Sequence, residues 1–440
     1  MVFVLISEGK YVKGKKYMKL TDEQKRMLDG NEGPGIKKCL DLLVKWGESF
    51  DAEKMVKVYS VHLSTNYCIE FLEEWSEGAK RTKCLSTLHA VFDPIFWIEK
   101  MGLKFEKNAS VGGGILSTDP LDFKKRMGKL KSLGFLPTFT CAPYNVGNNP
   151  RQNNICCWVG SSGQIISNSI FGALSGRESV STCFAAALTG YTPRMGLLDL
   201  EKRRAQLLIK VPTKIKTETW TEADYGTLGY FIGGIAGQRN VAIEGLSPDL
   251  PMDMARMLLS PQPVSGAVAI CKIIGLSPGA LTLEEAFARR PPEEVIEVNK
   301  SILQETQSKL NNAIDKDVEA VFLGCPHLNL TELLKITTLL EGKRIHPDVM
   351  LFIGTSNATK VILKEAGFLD IIEQAGAHVT NACFGPFNPL IYSKNPPKIT
   401  ATNSARSSHY LQTSSGGKIK VLYGDMIKCI NAALKGKWEK

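Results

Sequence analysis

No stretch of this sequence is apolar for long enough to cross a bilayer. The longest apolar runs, such as VEAVFLG and DVMLFIG, have the length of a strand. The start, MVFVLISEGKYVKGKK, holds too few apolar residues before its charges for the core of a signal peptide. A cytoplasmic setting is therefore expected. No C-x-x-C spacing occurs among the 11 cysteines, and the adjacent Cys156 and Cys157 cannot make a zinc knuckle by themselves. Without a secretory signal these thiols are expected to stay free, most of them as small buried hydrophobes. The stretch VGSSGQ (159–164) lacks the G-x-S-x-G elbow of a serine nucleophile, has no histidine nearby, and reads as a turn. GYFIGGIAGQ (229–238) misses both the dinucleotide and the Walker spacings. Its glycines at 229, 233 and 237 fall four apart, which suits close helix packing. SVGGGIL (110–116) reads as a turn or hinge, and no internal repeat or low-complexity tract occurs.

What is there is a 440-residue chain, 43% hydrophobic and 22% charged, long enough for two or three domains. Its net charge is +10, with lysines dense at both ends (KYVKGKKYMK, KGKWEK). A basic arm with interleaved tyrosines is one route to nucleic acid. A solvated surface, or an anionic small substrate, suits the balance better, and neither a nucleic-acid nor a membrane partner is expected.

TDEQKRML reads as a helix with Thr21 as N-cap and Gln24 at the capping-box position. After the turn DGNEGPG, IKKCLDLLVKWGESF reads as a second, amphipathic helix, and KMVKVYSVHLS as a strand. A Pro-rich break, ARRPPEE, suggests a boundary. It divides the chain into a first part (18–290) and a C-terminal part (291–435), behind an N-terminal extension (1–17). Beyond the break EEVIEVNKSILQETQSKLNNA reads as helical. Strand VEAVFLG then leads to helix LTELLKITTLLEG, with Asn329 and Glu332 as a capping box and Gly342 as its stop. Strand VMLFIGT leads to helix ATKVILKEAGFLDIIEQAG, and AHVTNACFG is the next strand. Near-continuous apolar strands alternating with helices predict an α/β fold with a largely parallel sheet in this C-terminal part.

In such sheets ligands bind beyond the carboxyl ends of the strands. Cys325, in LGCPHLNL, stands at such an end, as do Cys383 and the hydroxyls of Thr355 and Ser356. Cys141 closes FLPTFTCAPY, another short apolar run broken by proline. Three cysteines placed in this way can meet at one point, and three thiolates suit a cubane iron–sulfur cluster with one iron left open. An open iron acts as a Lewis acid on a substrate hydroxyl. Zinc on Cys325 and His327 is the rival, weakened by the proline between them and the lack of a second close pair. His327 otherwise reads as a contact at a helix start. TNSARSSHYL sets Ser404, Arg406, Ser407 and His409 after strand KITAT, either as a grip for a carboxylate or phosphate or as an exposed polar turn.

Taken in order, LTDEQKRMLDGNEG, TCAPYNVGNNPR, SNSIFGA, ADYGTLGY, LGCPHLNLTEL and TNSARSSHY resemble the motifs of aconitase X proteins. The resemblance runs from Met18 to Ala433. It implies an aconitase-like, multi-domain α/β/α architecture and a hydro-lyase. The family includes large subunits of archaeal phosphomevalonate dehydratase and the cis-3-hydroxyproline dehydratases. It also implies an iron–sulfur centre on Cys141, Cys325 and Cys383, a 4Fe–4S cluster first, with 2Fe–2S or mononuclear iron as alternatives. The third motif is usually D-T-C-P, whereas this chain has TNACFG around Cys383. The family further uses a small swivelling domain, fused or separate, that supplies a serine thought to act as base. The resemblance uses nearly all of this chain, so a separate small partner subunit is expected.

The pocket departs from that of the phosphomevalonate enzymes. Their S-G-V-S stands where this chain has Ser64-Thr65-Asn66-Tyr67, their N-P where it has His89-Ala90, and their E-S where it has Gly160-Ser161. S-G-K becomes Ser404-Ala405-Arg406, and R-T-N-R-E becomes Leu174-Ser175-Gly176-Arg177-Glu178. A pocket tuned to one polar substrate rejects analogues that leave its groups unpaired. The expectation is a retained dehydration of a small anionic hydroxy acid other than phosphomevalonate, touched by Thr65, Asn66, Tyr67, His89, Ser161, Ser404 and Arg406. The alternatives are a phosphomevalonate or cis-3-hydroxyproline dehydratase proper, a non-catalytic iron–sulfur or RNA-binding relative, and a mononuclear iron or zinc hydrolase-like site.

Overall fold

The computed structural model describes residues 18–65, 69–105, 108–111 and 114–439. The expected extension 1–17 and two pocket candidates, Asn66 and Tyr67, lie outside the described residues. Local signals set many helix ends. Thr21 Oγ1 accepts from Gln24 N at 3.3 Å while Gln24 Oε1 accepts from Thr21 N at 2.9 Å, opening Asp22–Leu28. Asn329 and Glu332 close the same reciprocal pair at Leu330–Leu340.

Four expectations are corrected. The helix expected over 358–376 is two, Asn357–Glu365 and Phe368–Gln374, because Gly367 takes a left-handed φ of +76° between them. The stretch 293–313 opens with a strand, Glu294–Glu297, since Val295 and Ile296 favour extended backbone, and Asn299 caps the helix Lys300–Leu310. KMVKVYSVHLS is two strands, Met55–Lys57 and Ser60–Leu63, in different sheets. VGSSGQ is no turn: it begins the helix Ser161–Ser169.

Three parallel sheets organise the chain. The first runs Leu85–Leu88, Ser60–Leu63, Ile155–Trp158, Leu174–Ser175 in spatial order. The second runs Cys271–Ile273, Val241–Glu244, Leu207–Lys210, Glu294–Glu297. The third runs His378–Thr380, Met350–Gly354, Ala320–Leu323, Ile399–Thr402, Lys420–Tyr423. The Pro-rich break at 288–294 therefore does not separate sheets, because Glu294–Glu297 beyond it pairs with Leu207–Lys210. Two antiparallel pairs, Met55–Lys57 with Tyr191–Pro193 and Asn108–Val111 with Gly114–Ser117, complete the described strands. Each main sheet has its own apolar core, built for example on Leu40 and Phe184, on Leu228 and Ile243, and on Val321 and Leu351. The helix Glu222–Ala236 packs tightly on its neighbours, as its glycine spacing suggests. Any Cβ at Gly229 would overlap Leu258 O, and one at Gly233 would overlap Ser265 Oγ.

Candidate active site between two sheets

In the first and third sheets the chain adds strands to one side, then returns to the other. This leaves a crevice at the carboxyl ends of Ser60–Leu63 and Ile155–Trp158, and a second at those of Ala320–Leu323 and Ile399–Thr402. The segments that leave these ends meet each other. Val91 bridges Ala382, Asn357 N donates to Thr138 O at 3.1 Å, and His327 N donates to Cys141 Sγ at 3.2 Å. Cys325 and Cys383 are each 6% exposed, and Cys141 is partly exposed. The three thiols lie near enough that Cys383 acts electrostatically on Cys141 and on Cys325, and Cys141 acts on Cys325.

Burial pushes the Cys141 thiol up to about 11, with Cys383 adding to the rise; the His327 N–H, Arg406 and Arg256 pull against it. Burial likewise raises Cys325, against Arg406, and raises Cys383, against the N–H groups of Phe387 and Gly385 and against Arg406. Without a bound cation the three are thiols; a bound cation reverses that preference. Three sulfurs from remote segments, with backbone N–H groups aimed at two of them and a guanidinium beside all three, fit a thiolate-bound iron–sulfur group. Among the described residues no three His, Cys, Asp or Glu side chains close on one metal ion. Thiolates around a single tetrahedral ion sit about 3.8 Å apart, whereas a cluster takes one thiolate per iron and holds them wider. The zinc reading lacks such a group of ligands: His327 Nε2 donates to Ala382 O at 2.9 Å, and its Nδ1 has no partner among the described residues.

The other candidates divide. His89, Ser161 and Arg406 come together: Arg406 Nη1 donates to Ser161 Oγ and to Ser260 O, both at 3.2 Å, and acts on His89. The Arg406 guanidinium also lies 5.4 Å from the centre of the Tyr410 ring. Thr65 is buried, and its carbonyl accepts from Arg126 Nη1 at 2.6 Å. The Ser404 hydroxyl is spent within the fold, donating to Cys325 O and accepting from Ser407 N at 3.0 Å as the cap of Ala405–Ser414. That bond ties the two strand ends of the third sheet together. TNSARSSHYL is thus no exposed turn. Thr355 donates to Leu328 O at 2.9 Å and Ser356 caps Asn357–Glu365, so these hydroxyls are structural.

Two groups escaped the sequence reading. One is His62, whose ring is tilted 49° against that of His89 with centres 5.3 Å apart and lies within the electrostatic reach of His327. Burial lowers all three histidines, His89 and His327 to about 4, so the imidazoles beside the thiols are neutral. Arg256, 1% exposed, donates to His327 O and to the Glu332 carboxylate, fixing the loop after Cys325 from below. Alternation marks His62 only as a strand residue, and nothing in the sequence pairs Arg256 with Glu332.

Fold and site together define an α/β protein with thiols gathered where two parallel sheets meet. Models of the aconitase X first, second and third domains match residues 17–201, 205–308 and 318–435. The chain belongs to the aconitase X family. It is 30% identical over 433 residues to the phosphomevalonate dehydratase large subunit of Methanocaldococcus jannaschii, covering 96% of this chain and 100% of that one. It is 25% identical to the cis-3-hydroxy-L-proline dehydratase of Hypocrea jecorina, over 96% of this chain and 70% of that protein. The crystal structure of Thermococcus kodakaraensis aconitase X in its holo-form superposes with a TM-score of 0.78 at 27% identity, covering 94% of this chain and 100% of that chain. The expected aconitase-like α/β architecture is therefore found, and the enzyme class is that of the named relatives, the hydro-lyases. No helix among the described residues is long and apolar enough to cross a membrane.

Proposed function

We propose that the chain is the large subunit of a two-subunit, iron–sulfur-dependent dehydratase of a small anionic hydroxy acid other than phosphomevalonate. The observation that carries this reading is the meeting of Cys141, Cys325 and Cys383 beside Arg406. Cys141, Cys325 and Cys383 would hold the cluster, which when bound would supply Lewis-acid chemistry toward the leaving hydroxyl. The chain's own residues do the rest. Backbone N–H groups of His327, Gly385 and Phe387 steady the sulfurs. Arg406 supplies the positive charge for the substrate anion, and the neutral histidines keep further charge out of the site.

A substrate other than phosphomevalonate is favoured by the positions that depart from the related enzymes. Leu174 is buried in its strand, and the Arg177 guanidinium donates to Ala267 O at 2.6 Å. Arg256 is paired with Glu332. Among the described residues this leaves Arg406 as the cation beside the thiols without a carboxylate partner. The relatives that this chain covers from end to end are named large subunits. A separate small subunit is therefore part of the proposal, as the source of the base that removes the proton. A cytoplasmic setting belongs to the same reading, since a reducing compartment keeps the thiols free. The test is an anaerobic assay of the chain with its small subunit on hydroxyproline, phosphomevalonate and related hydroxy acids. Water loss from a hydroxy acid other than phosphomevalonate is expected; turnover of phosphomevalonate alone, or of none, contradicts the proposal.

A further inference from the structure

The helix Ser161–Ser169 starts on a residue without a side chain. Gly160, its N-cap, has φ +91° and makes no capping hydrogen bond. The first helical bond runs from Gln164 N to Gly160 O at 3.2 Å, so the N–H groups of Ser161, Ser162 and Gly163 have no acceptor among the described residues. Ser162 is 3% exposed and Gly163 is buried as well. Buried donors without acceptors are costly to leave unmade.

Two side chains converge on this end. Arg406, 8% exposed, donates to Ser161 Oγ. His89 lies over Gly160: a Cβ there would sit 2.7 Å from His89 Nε2, so the imidazole fills the place of a capping side chain. His89 is 8% exposed, and Nε2 has no hydrogen-bond partner among the described residues. Nδ1 faces Ala90 O at 3.1 Å; a carbonyl only accepts, so Nδ1 carries the proton. Burial, with Arg406 nearby, lowers this histidine to about 4, and the neutral ring presents a lone pair at Nε2. The same helix turn touches the thiol centre, since a Cβ on Gly163 would sit 3.7 Å from Cys141 O.

We propose that this niche binds the substrate carboxylate on the N–H groups of Ser161, Ser162 and Gly163 and on Arg406, while His89 Nε2 accepts a hydrogen bond from an O–H or N–H beside that carboxylate. The substrate class is a carboxylate with a donor on the neighbouring carbon. A phosphate monoester dianion offers no proton to Nε2 and meets one guanidinium. The inference rests on the dehydratase reading only in calling the ligand a substrate; binding needs neither the cluster nor turnover.

The test is a titration of the full-length chain with glycolate, acetate and methyl phosphate as the phosphate probe, read by tryptophan fluorescence. Trp158 reports directly, because its ring lies 3.5 Å from where a Gly163 Cβ would stand. Glycolate is expected to bind saturably, about tenfold more tightly than acetate or phosphate. Ser161→Pro removes one N–H at a position where a helix tolerates proline, and is expected to weaken glycolate about tenfold, against about threefold or less for Ser161→Ala. His89→Phe keeps a ring over Gly160 and is expected to erase the preference for glycolate over acetate. An adequate far-UV spectrum is required of each variant; if Ser161→Pro misfolds, His89→Phe decides. Absence of a saturable glycolate response, phosphate binding as tight as glycolate, or an unchanged preference in His89→Phe overturns the niche. Dehydration that persists despite such a result would spare the proposed function, and binding without any turnover would spare the niche alone.

Discussion

The second and third sheets share a topology and differ in the segments beyond their strands. In both, parallel strands are added to one side and then to the other, leaving a crevice at the carboxyl ends. In the third sheet those ends release Cys325 and the start of the helix Ala405–Ser414, which carries Arg406, into a meeting with the first sheet. In the second sheet the segments just past the strands pack on one another instead. Any Cβ at Gly245 would overlap Val211 O, Val298 is fully buried, and the Lys210–Glu244 pair at 3.7 Å lies on the surface. Its cysteine, Cys271, sits inside a strand, pushed up to about 12 by burial. A crevice comes with the winding of the sheet, but the residues just past the strands decide whether it holds chemistry.

The largest effect expected from this contrast is on activity. Cys325→Ser should abolish iron binding and lower turnover more than about thousandfold at near-native stability, whereas Cys271→Ala should keep both; iron analysis and the assay read the difference. Next comes Arg256→Met, which strands the Glu332 carboxylate under the site and is expected to cost about 3–5 kcal/mol in a denaturant titration.

A smaller effect concerns pH. His89 is held down to about 4, and His62 is lowered in the same direction. The unfolded chain takes up protons that the folded one refuses, so stability rises with pH in this window. Denaturation midpoints should fall as pH drops from about 6.5 toward 4, by about 3 kcal/mol for His89. His89→Phe should flatten part of that slope, and hydrogen exchange at low pH should speed up in the first sheet before the second, which has no histidine. The smallest effect is the packing cost of Cys271→Ala, about 1 kcal/mol by the same titration.

The thiol trio was legible because each cysteine ends an apolar run and is then met by a proline or glycine turn. Caps at Thr21 and Asn329 were legible for the same local reason, their partners lying three residues away. The features that local pattern missed depend on contacts between remote segments. VGSSGQ reads as a turn until Gly160 is seen beneath His89. Ser404 reads as a ligand contact until its hydroxyl is seen tied to Cys325 O. Val295 and Ile296 were absorbed into a helix because their partner strand lies some ninety residues earlier, at Leu207–Lys210.

The central claim is that Cys141, Cys325 and Cys383 share one iron–sulfur group. Iron and acid-labile sulfide should be counted after anaerobic purification, in the wild type and in each single Cys→Ser variant. The account predicts iron and sulfide in the wild type and loss of both in all three variants, with Cys271→Ala unchanged. Iron without sulfide, or a full complement retained after any one of the three replacements, would contradict it.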